Sequence, residues 1–269
     1  MKVLEHYICG KENNELTCED GLVITEHLIA VIDGVTAKGI RLWDGKSSGC
    51  FAKDLIVQYL QENEVVQCDA VELFSNLDKV IADAMDSVGD TILVEDTPRA
   101  SVIVYNDIYQ EVWSYGDCQC RINDEVYNHK KKLDRINEDI RAEKIEEYLS
   151  QGGSIEEVRQ NDVGRAAIQE NLLKQFFYEN KKVEKGYPVL NGKGIEPEFI
   201  TRYKVNSGDK VVLASDGYPK VYDNLKDSEA YLEYVLKEDP LCFRIHRSTK
   251  GVKEGNVSFD DRVFCGIVV

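Results

Sequence analysis

Positive charge is in short supply: 33 lysines and arginines stand against 49 aspartates and glutamates, for a formal net charge of −16. Such a chain repels polyphosphate backbones instead of releasing their counterions, so nucleic acid is not an expected partner. Long apolar runs are missing too. No stretch approaches the roughly 18 apolar residues of a membrane span, and Met1–His6 has no apolar leader core, so no membrane contact is expected and a reducing cytoplasm is the expected setting. The eight cysteines form no C-x-x-C pair, which excludes the common zinc patterns. The four histidines, His6, His27, His129 and His246, are dispersed, and none is given a role.

What the chain does have is enough apolar material for a core. With 269 residues, 43% of them hydrophobic, it suits one domain, residues 1–269, carrying a substantial insertion. A chain of this size removes about 70–75% of its unfolded surface from water. Stability then needs no structural metal, and any metal would serve chemistry.

The runs GLVIT and EHLIAVI read as a hairpin from Gly21 to Ile32 that ends at Asp33-Gly34. A helix is expected over Ser48–Leu60, with Phe51, Leu55 and Tyr59 on its apolar face. A second should run from Asp69, a good N-cap, towards Gly89. Strands follow at Ser101–Tyr105, Glu111–Tyr115 and Cys118–Ile122, with turn pairs at Asn106-Asp107 and Gly116-Asp117. Charged helical sequence then takes over across 124–186, with a capping box at Ser154 and Glu157 and an apolar spacing at Ile168, Leu172 and Phe176. The basic run His129–Lys132 reads as a solvated helix face. Strands return at Phe199–Val205, Lys210–Ser215 and Val263–Val269, with a helix over Ser228–Leu236. The fold class is α+β, with sheets packed together and covered by helices.

Four Asp-Gly pairs occur, and any one could be a tight turn. That reading suffices for Asp44. Asp33 and Asp216 differ because each closes an almost wholly apolar run, HLIAVI and KVVLAS, where a carboxylate is costly unless paired or bound to a cation. Asp260-Asp261 stands directly before the last apolar strand. Carboxylates and carbonyls are hard oxygen ligands that suit magnesium or manganese.

The ordered blocks Cys18-Glu19-Asp20, VIDG (31–34), ASVIVYN (100–106), SYGDCQCRI (114–122), VVLASDG (211–217) and DDRV (260–263) resemble the type-2C metal-dependent serine/threonine phosphatase family. The resemblance implies two packed antiparallel β-sheets flanked by helices, with a helical flap at 124–186. It also implies two Mn2+ or Mg2+ ions held by Asp33, the Gly34 carbonyl, Asp216 and Asp260, with Glu19 and Asp20 touching one of them. Asp117 would face a third, weaker ion, and Asp261 would stand behind Asp260. By the same resemblance a hydroxide shared by two ions hydrolyses phosphoserine or phosphothreonine on a phosphoprotein, opposing a serine/threonine kinase in signalling. No cysteine takes part.

The sequence departs from that pattern in three places. Glu15 stands where eukaryotic relatives carry a phosphate-gripping arginine, leaving Lys11 or Arg41 to take that part. Val35–Gly39 lacks the usual histidine, with Lys38 as a candidate substrate contact. Lys220 replaces an aspartate that would help to hold the third ion, and it either neutralises Asp117 or points to solvent. A catalytically weak or inactive phosphatase-like binding module is therefore the alternative. A P-loop reading of Gly45-Lys46-Ser47-Ser48 fails on spacing, because the required glycine position holds Ile40.

Overall fold

The computed structural model describes residues 1–269. The chain runs β1 (Lys2–Cys9), β2 (Asp20–Ile24), β3 (Leu28–Gly34), α1 (Ser48–Glu62), α2 (Ala70–Asp86), β4 (Ala100–Asn106), β5 (Glu111–Tyr115), β6 (Gln119–Ile122) and β7 (Glu125–Tyr127). Then come α3 (Lys132–Ser150), α4 (Ile155–Gln160), α5 (Val163–Lys174), β8 (Thr201–Lys204), β9 (Lys210–Ala214), α6 (Leu225–Glu238) and β10 (Arg262–Val268). Two five-stranded sheets form, β1-β10-β9-β6-β7 and β2-β3-β4-β5-β8, with every pairing antiparallel.

Alternation along the strands builds the layers. In β3, Ile29 and Val31 turn towards the other sheet and meet Val211, Leu213, Val263 and Cys265. Their neighbours Ala30 and Ile32 turn outward onto Ala52 and Ile56 of α1 and Leu73, Phe74 and Leu77 of α2. A strand covered on both faces has no use for polar positions, which explains the unbroken run LIAVI after His27. On the far side, Val212, Ala214 and Phe264 pack against Leu232 of α6. The result is helix, sheet, sheet, helix, as expected for the fold class.

Several local expectations need correction. The inward face of α1 carries Ala52, Ile56 and Leu60, one residue on from the Phe51, Leu55, Tyr59 stripe, and those three are only half-buried. Gly116-Asp117 is not a hairpin turn, because β5 and β6 lie in different sheets and the pair carries the chain between them. A strand, β7, occupies Glu125–Tyr127 inside the stretch read as helical. Strand β1 was not foreseen: its half-buried positions are Val3, Glu5, Tyr7 and Cys9, while Leu4 and Ile8 are exposed, so hydropathy and burial disagree.

Helices α3 to α5 lie between β7 and β8, and the capping box at Ser154 and Glu157 starts α4. Arg141 of α3 is fully buried and ties this region to the body of the domain. Its guanidinium donates to the carbonyls of Leu241 (2.8 Å), Cys242 (3.1 Å) and Ser248 (3.0 Å) and pairs with Asp162 at 2.7 Å. The loop that carries Lys250 is thereby fixed against the inserted helices. No helix is long and apolar enough to cross a membrane.

Candidate active site

The acidic residues gather where strands from both sheets end. Asp20 and Asp33 are direct cross-strand partners in β2 and β3, so their side chains leave the same face of the sheet. Asp216 follows β9 and Asp260-Asp261 precedes β10, its neighbour in the other sheet. Asp117, on the β5–β6 crossing, is oriented by its own amide, which donates to Ser101 Oγ at 2.8 Å. Asp33, Asp117, Asp216 and Asp260 all line one cleft. Lys38, Lys131, Arg165 and Lys250 line the same cleft.

Lysines hold a large part of this acidic cluster. Lys11 Nζ lies 2.9 Å from Glu19 Oε2, 2.7 Å from Asp261 Oδ2 and 3.8 Å from Asp260 Oδ1. Lys250 pairs directly with Asp260 and reaches Thr36 Oγ1 at 3.3 Å. Lys131 sits 2.6 Å from Asp117. Burial opposes ionisation of Asp260, but Lys250 and Lys11 outweigh it and hold the carboxyl below the usual carboxylate range. Lys131 does the same for Asp117, and Lys11 with Ser47 for Glu19, again against burial.

Asp33 and Asp216 have no such partner. Enclosure by protein, then the charges of Asp216 and Asp20, push the Asp33 carboxyl well above the carboxylate range. Asp216 meets solvent in the cleft yet is crowded by protein, and that crowding together with Asp260 and Asp117 raises it to about 7. Asp20 is 3% exposed and its Oδ2 finds no donor. As they stand, no three acidic, histidine or cysteine side chains close on a common point. Two carboxylates with a backbone carbonyl are nonetheless the sparse protein set that magnesium accepts when water fills its other positions. The unpartnered buried oxygen beside them fits a cation at this point.

The candidate substitutes for the missing arginine divide. Arg41 is outside the cleft, stacked 4.9 Å over Trp43 and near Asp90. Lys11 is at the acidic centre but committed to Glu19 and Asp261. Lys38 lines the cleft, its Nζ donating to the Thr36 carbonyl at 2.6 Å. Burial, then Arg165 and Lys250, lower its pKa to about 7. Lys220 points away, 4.6 Å over the Tyr222 ring, so the lysine beside Asp117 is Lys131 instead. Lys131, from the run read as solvated, has a side chain only 13% exposed. Sequence reasoning also passed over Lys250, Thr36 and Arg165, whose Nη1 donates to the Thr249 carbonyl at 2.8 Å. Nothing in their local sequence marks them.

The segment Gly45–Ser48 forms no phosphate cradle. Lys46 pairs with Asp54 at 2.6 Å, while Ser47 caps α1 and its hydroxyl donates to Glu19 at 2.7 Å.

The architecture of two packed sheets with helical covers has counterparts among solved structures. A bacterial serine phosphatase superposes with a TM-score of 0.50 at 13% identity, with 98% of this chain and 96% of the other aligned. The chain has a type-2C phosphatase fold. The serine/threonine phosphatase Stp1 from Staphylococcus aureus gives a TM-score of 0.50 at 13% identity, over 98% of this chain and 94% of that one. No protein-family model and no curated protein matches the sequence. The phosphatase fold with its two sheets and helical covers agrees with the expectation from the six sequence blocks.

Proposed function

We propose that the chain is a divalent-metal-dependent phosphatase acting on phosphoserine or phosphothreonine in proteins. The observation that carries this is the cleft itself, which is lined both by the carboxyls of Asp33 and Asp216, neither of them paired with a lysine, and by the cations Lys38 and Arg165. Asp33, the Gly34 carbonyl and Asp216 would hold manganese or magnesium, which supplies an activated water and positive charge for the phosphoryl oxygens. Lys38 and Arg165, which line the same cleft, would grip the phosphoryl group, since an ammonium and a guanidinium both donate to phosphate oxygen. Asp260, paired with Lys250, and Asp117, paired with Lys131, would hold the edges of the cleft. A kinase that makes the phosphoprotein would be the opposing activity.

Hydrolysis of a phosphoserine peptide should depend on added Mn2+ or Mg2+, vanish in chelator and survive thiol alkylation, since every cysteine is free and none lines the cleft. Undiminished turnover in excess chelator would sink the reading.

The second reading, a binding module without turnover, is favoured by the lysines that already neutralise Glu19, Asp117, Asp260 and Asp261. It is separated by the same assay: a phosphopeptide that binds but is not hydrolysed under any metal condition supports it.

Lys38 gives a pH signature. Its environment is Arg165, Lys250 and Lys131 on the cationic side and Glu19 on the anionic side. A lysine held near 7 is an ammonium below that pH and a neutral amine above it, so its grip on phosphate is present at lower pH and lost as pH rises. KM for a phosphopeptide should climb about tenfold between about pH 6 and about pH 8.5, with kcat moving less. Lys38→Arg, which does not titrate in this range, should flatten the profile. An unchanged slope in that variant would assign the titration elsewhere.

A further inference from the structure

We infer that Lys11 and Lys250 supply the positive charge that a second divalent ion would otherwise bring, and that the site takes one such ion, at Asp33 and Asp216, an assignment that rests on the metal-dependent reading above. The carboxylates divide cleanly into two groups. Glu19 has both oxygens committed, Oε1 to Ser47 Oγ at 2.7 Å and Oε2 to Lys11 Nζ at 2.9 Å and Thr36 Oγ1 at 2.9 Å. Asp261 is equally occupied: Oδ1 accepts from the Lys11 amide at 2.7 Å, and Oδ2 accepts from Lys11 Nζ at 2.7 Å and the Glu19 amide at 3.2 Å. Asp260 takes Lys250 on Oδ2 and the Asp261 amide, at 3.0 Å, on Oδ1. None of these three has a free oxygen to offer without losing a charge-assisted bond.

The other group is Asp20, Asp33 and Asp216, which no lysine touches. Asp20 Oδ2 is buried without a donor directly across the hairpin from Asp33. A buried carboxylate oxygen left in that state calls for a cation of its own. The side chains of Lys11 and Lys250 are 16% and 24% exposed, so both ammoniums are built into the wall and not merely laid over it. A divalent ion bound at Asp260 would have to displace Lys250 and would still face Lys11 at 3.8 Å from the same carboxylate. Two ammoniums repel a dication far more than solvent screens at that separation. The chemistry of the site thus suits one divalent ion, with two fixed monovalent charges beside it.

The count of bound ions tests this without any turnover. Mn2+ titrated into the whole protein, followed by calorimetry and by the electron paramagnetic resonance signal of free Mn2+, should saturate at one ion per chain in about 0.15 M salt, where diffuse binding to the acidic surface is screened. In Lys11→Met/Lys250→Met a second ion should appear, with an affinity improved by about 100-fold or more over any second event in the wild type. Lys250→Arg keeps the charge and should stay at one. Two ions bound by the wild type would overturn the inference while leaving the phosphatase reading intact. No ion bound would overturn both. A double variant that folds by circular dichroism and still binds one ion would show that the lysines are not what excludes the second; if it fails to fold, the wild-type count and Lys250→Arg decide the matter.

Discussion

Asp33→Asn is expected to reduce hydrolysis of a phosphoserine peptide by about 10³-fold or more, the scale on which loss of a key electrostatic group lowers turnover. Asp33 stands among other acids: Asp20 is opposite in the hairpin, Asp216 shares the cleft, and no lysine or side-chain hydrogen-bond donor is assigned to it. Asparagine keeps the shape and one acceptor oxygen but removes the charge that would hold a cation. The same change should leave the fold intact and make the metal-free protein more stable. A carboxyl whose pKa is raised by folding costs stability once pH exceeds its unfolded value, because ionisation is then resisted in the native state alone. At alkaline pH the variant should therefore melt about 2–4 °C higher than the wild type without metal, the shift that ~1 kcal/mol produces in a chain of this size. Added Mn2+ should reverse the order, raising the melting temperature of the wild type and not of the variant. Turnover near the wild-type rate would reduce Asp33 to a turn residue.

The same residue shows how much of the site could be read in advance. Asp33 and Asp216 were conspicuous because each ends an almost wholly apolar run, and burial on both faces of β3 is what makes the first of those runs apolar. Strand ends with that signature are legible because cost of burial acts locally. The lysines were not, because nothing local decides where a long flexible side chain points. Lys131 belongs to a run of three lysines, yet Lys132 is exposed while Lys131 turns inward to Asp117. Lys250 is aimed by the loop that Arg141 fixes, a contact made across more than a hundred residues of sequence. For Lys220 the sequence leaves two directions open, towards Asp117 or towards solvent, and the tyrosines at 222 and 231 offer its ammonium an aromatic surface. The central strands were legible for a similar reason to the aspartates, since they are largely apolar, whereas the pairing of two sheets came from the resemblance and the strand order was not read at all. Strand β1 escaped because an edge strand half open to solvent tolerates Leu4 and Ile8 outside and Glu5 inside, where Glu5 accepts the Leu225 amide at 2.9 Å.

Gly217→Ala should destabilise the protein by about 3 kcal/mol and also remove activity, whereas Gly45→Ala should cost about 1 kcal/mol and leave the fold largely unaffected. Both glycines follow an aspartate, and both pairs look like tight turns in the sequence. Gly45 is one: its φ is +78°, and a Cβ there would meet nothing within 4 Å, so alanine suffers only from the left-handed backbone. Gly217 is not in that region. It is required because the chain just before β10 crosses it, and a Cβ would stand 1.9 Å from the Asp261 carbonyl oxygen and 2.9 Å from Arg262 Cβ. Backbone cannot swing aside as the tip of a side chain can. Relief must come from moving the start of β10 away from the end of β9, which separates Asp216 from Asp260 and pulls Asp261 from the Lys11 amide. The predicted loss is thus coupled: denaturant unfolding should show a lower midpoint with an unchanged slope, and the folded variant should bind Mn2+ more weakly than the wild type. If Gly217→Ala matched Gly45→Ala in stability and kept its Mn2+ affinity, the close crossing of these two strand ends would not be what sets the geometry of the cleft.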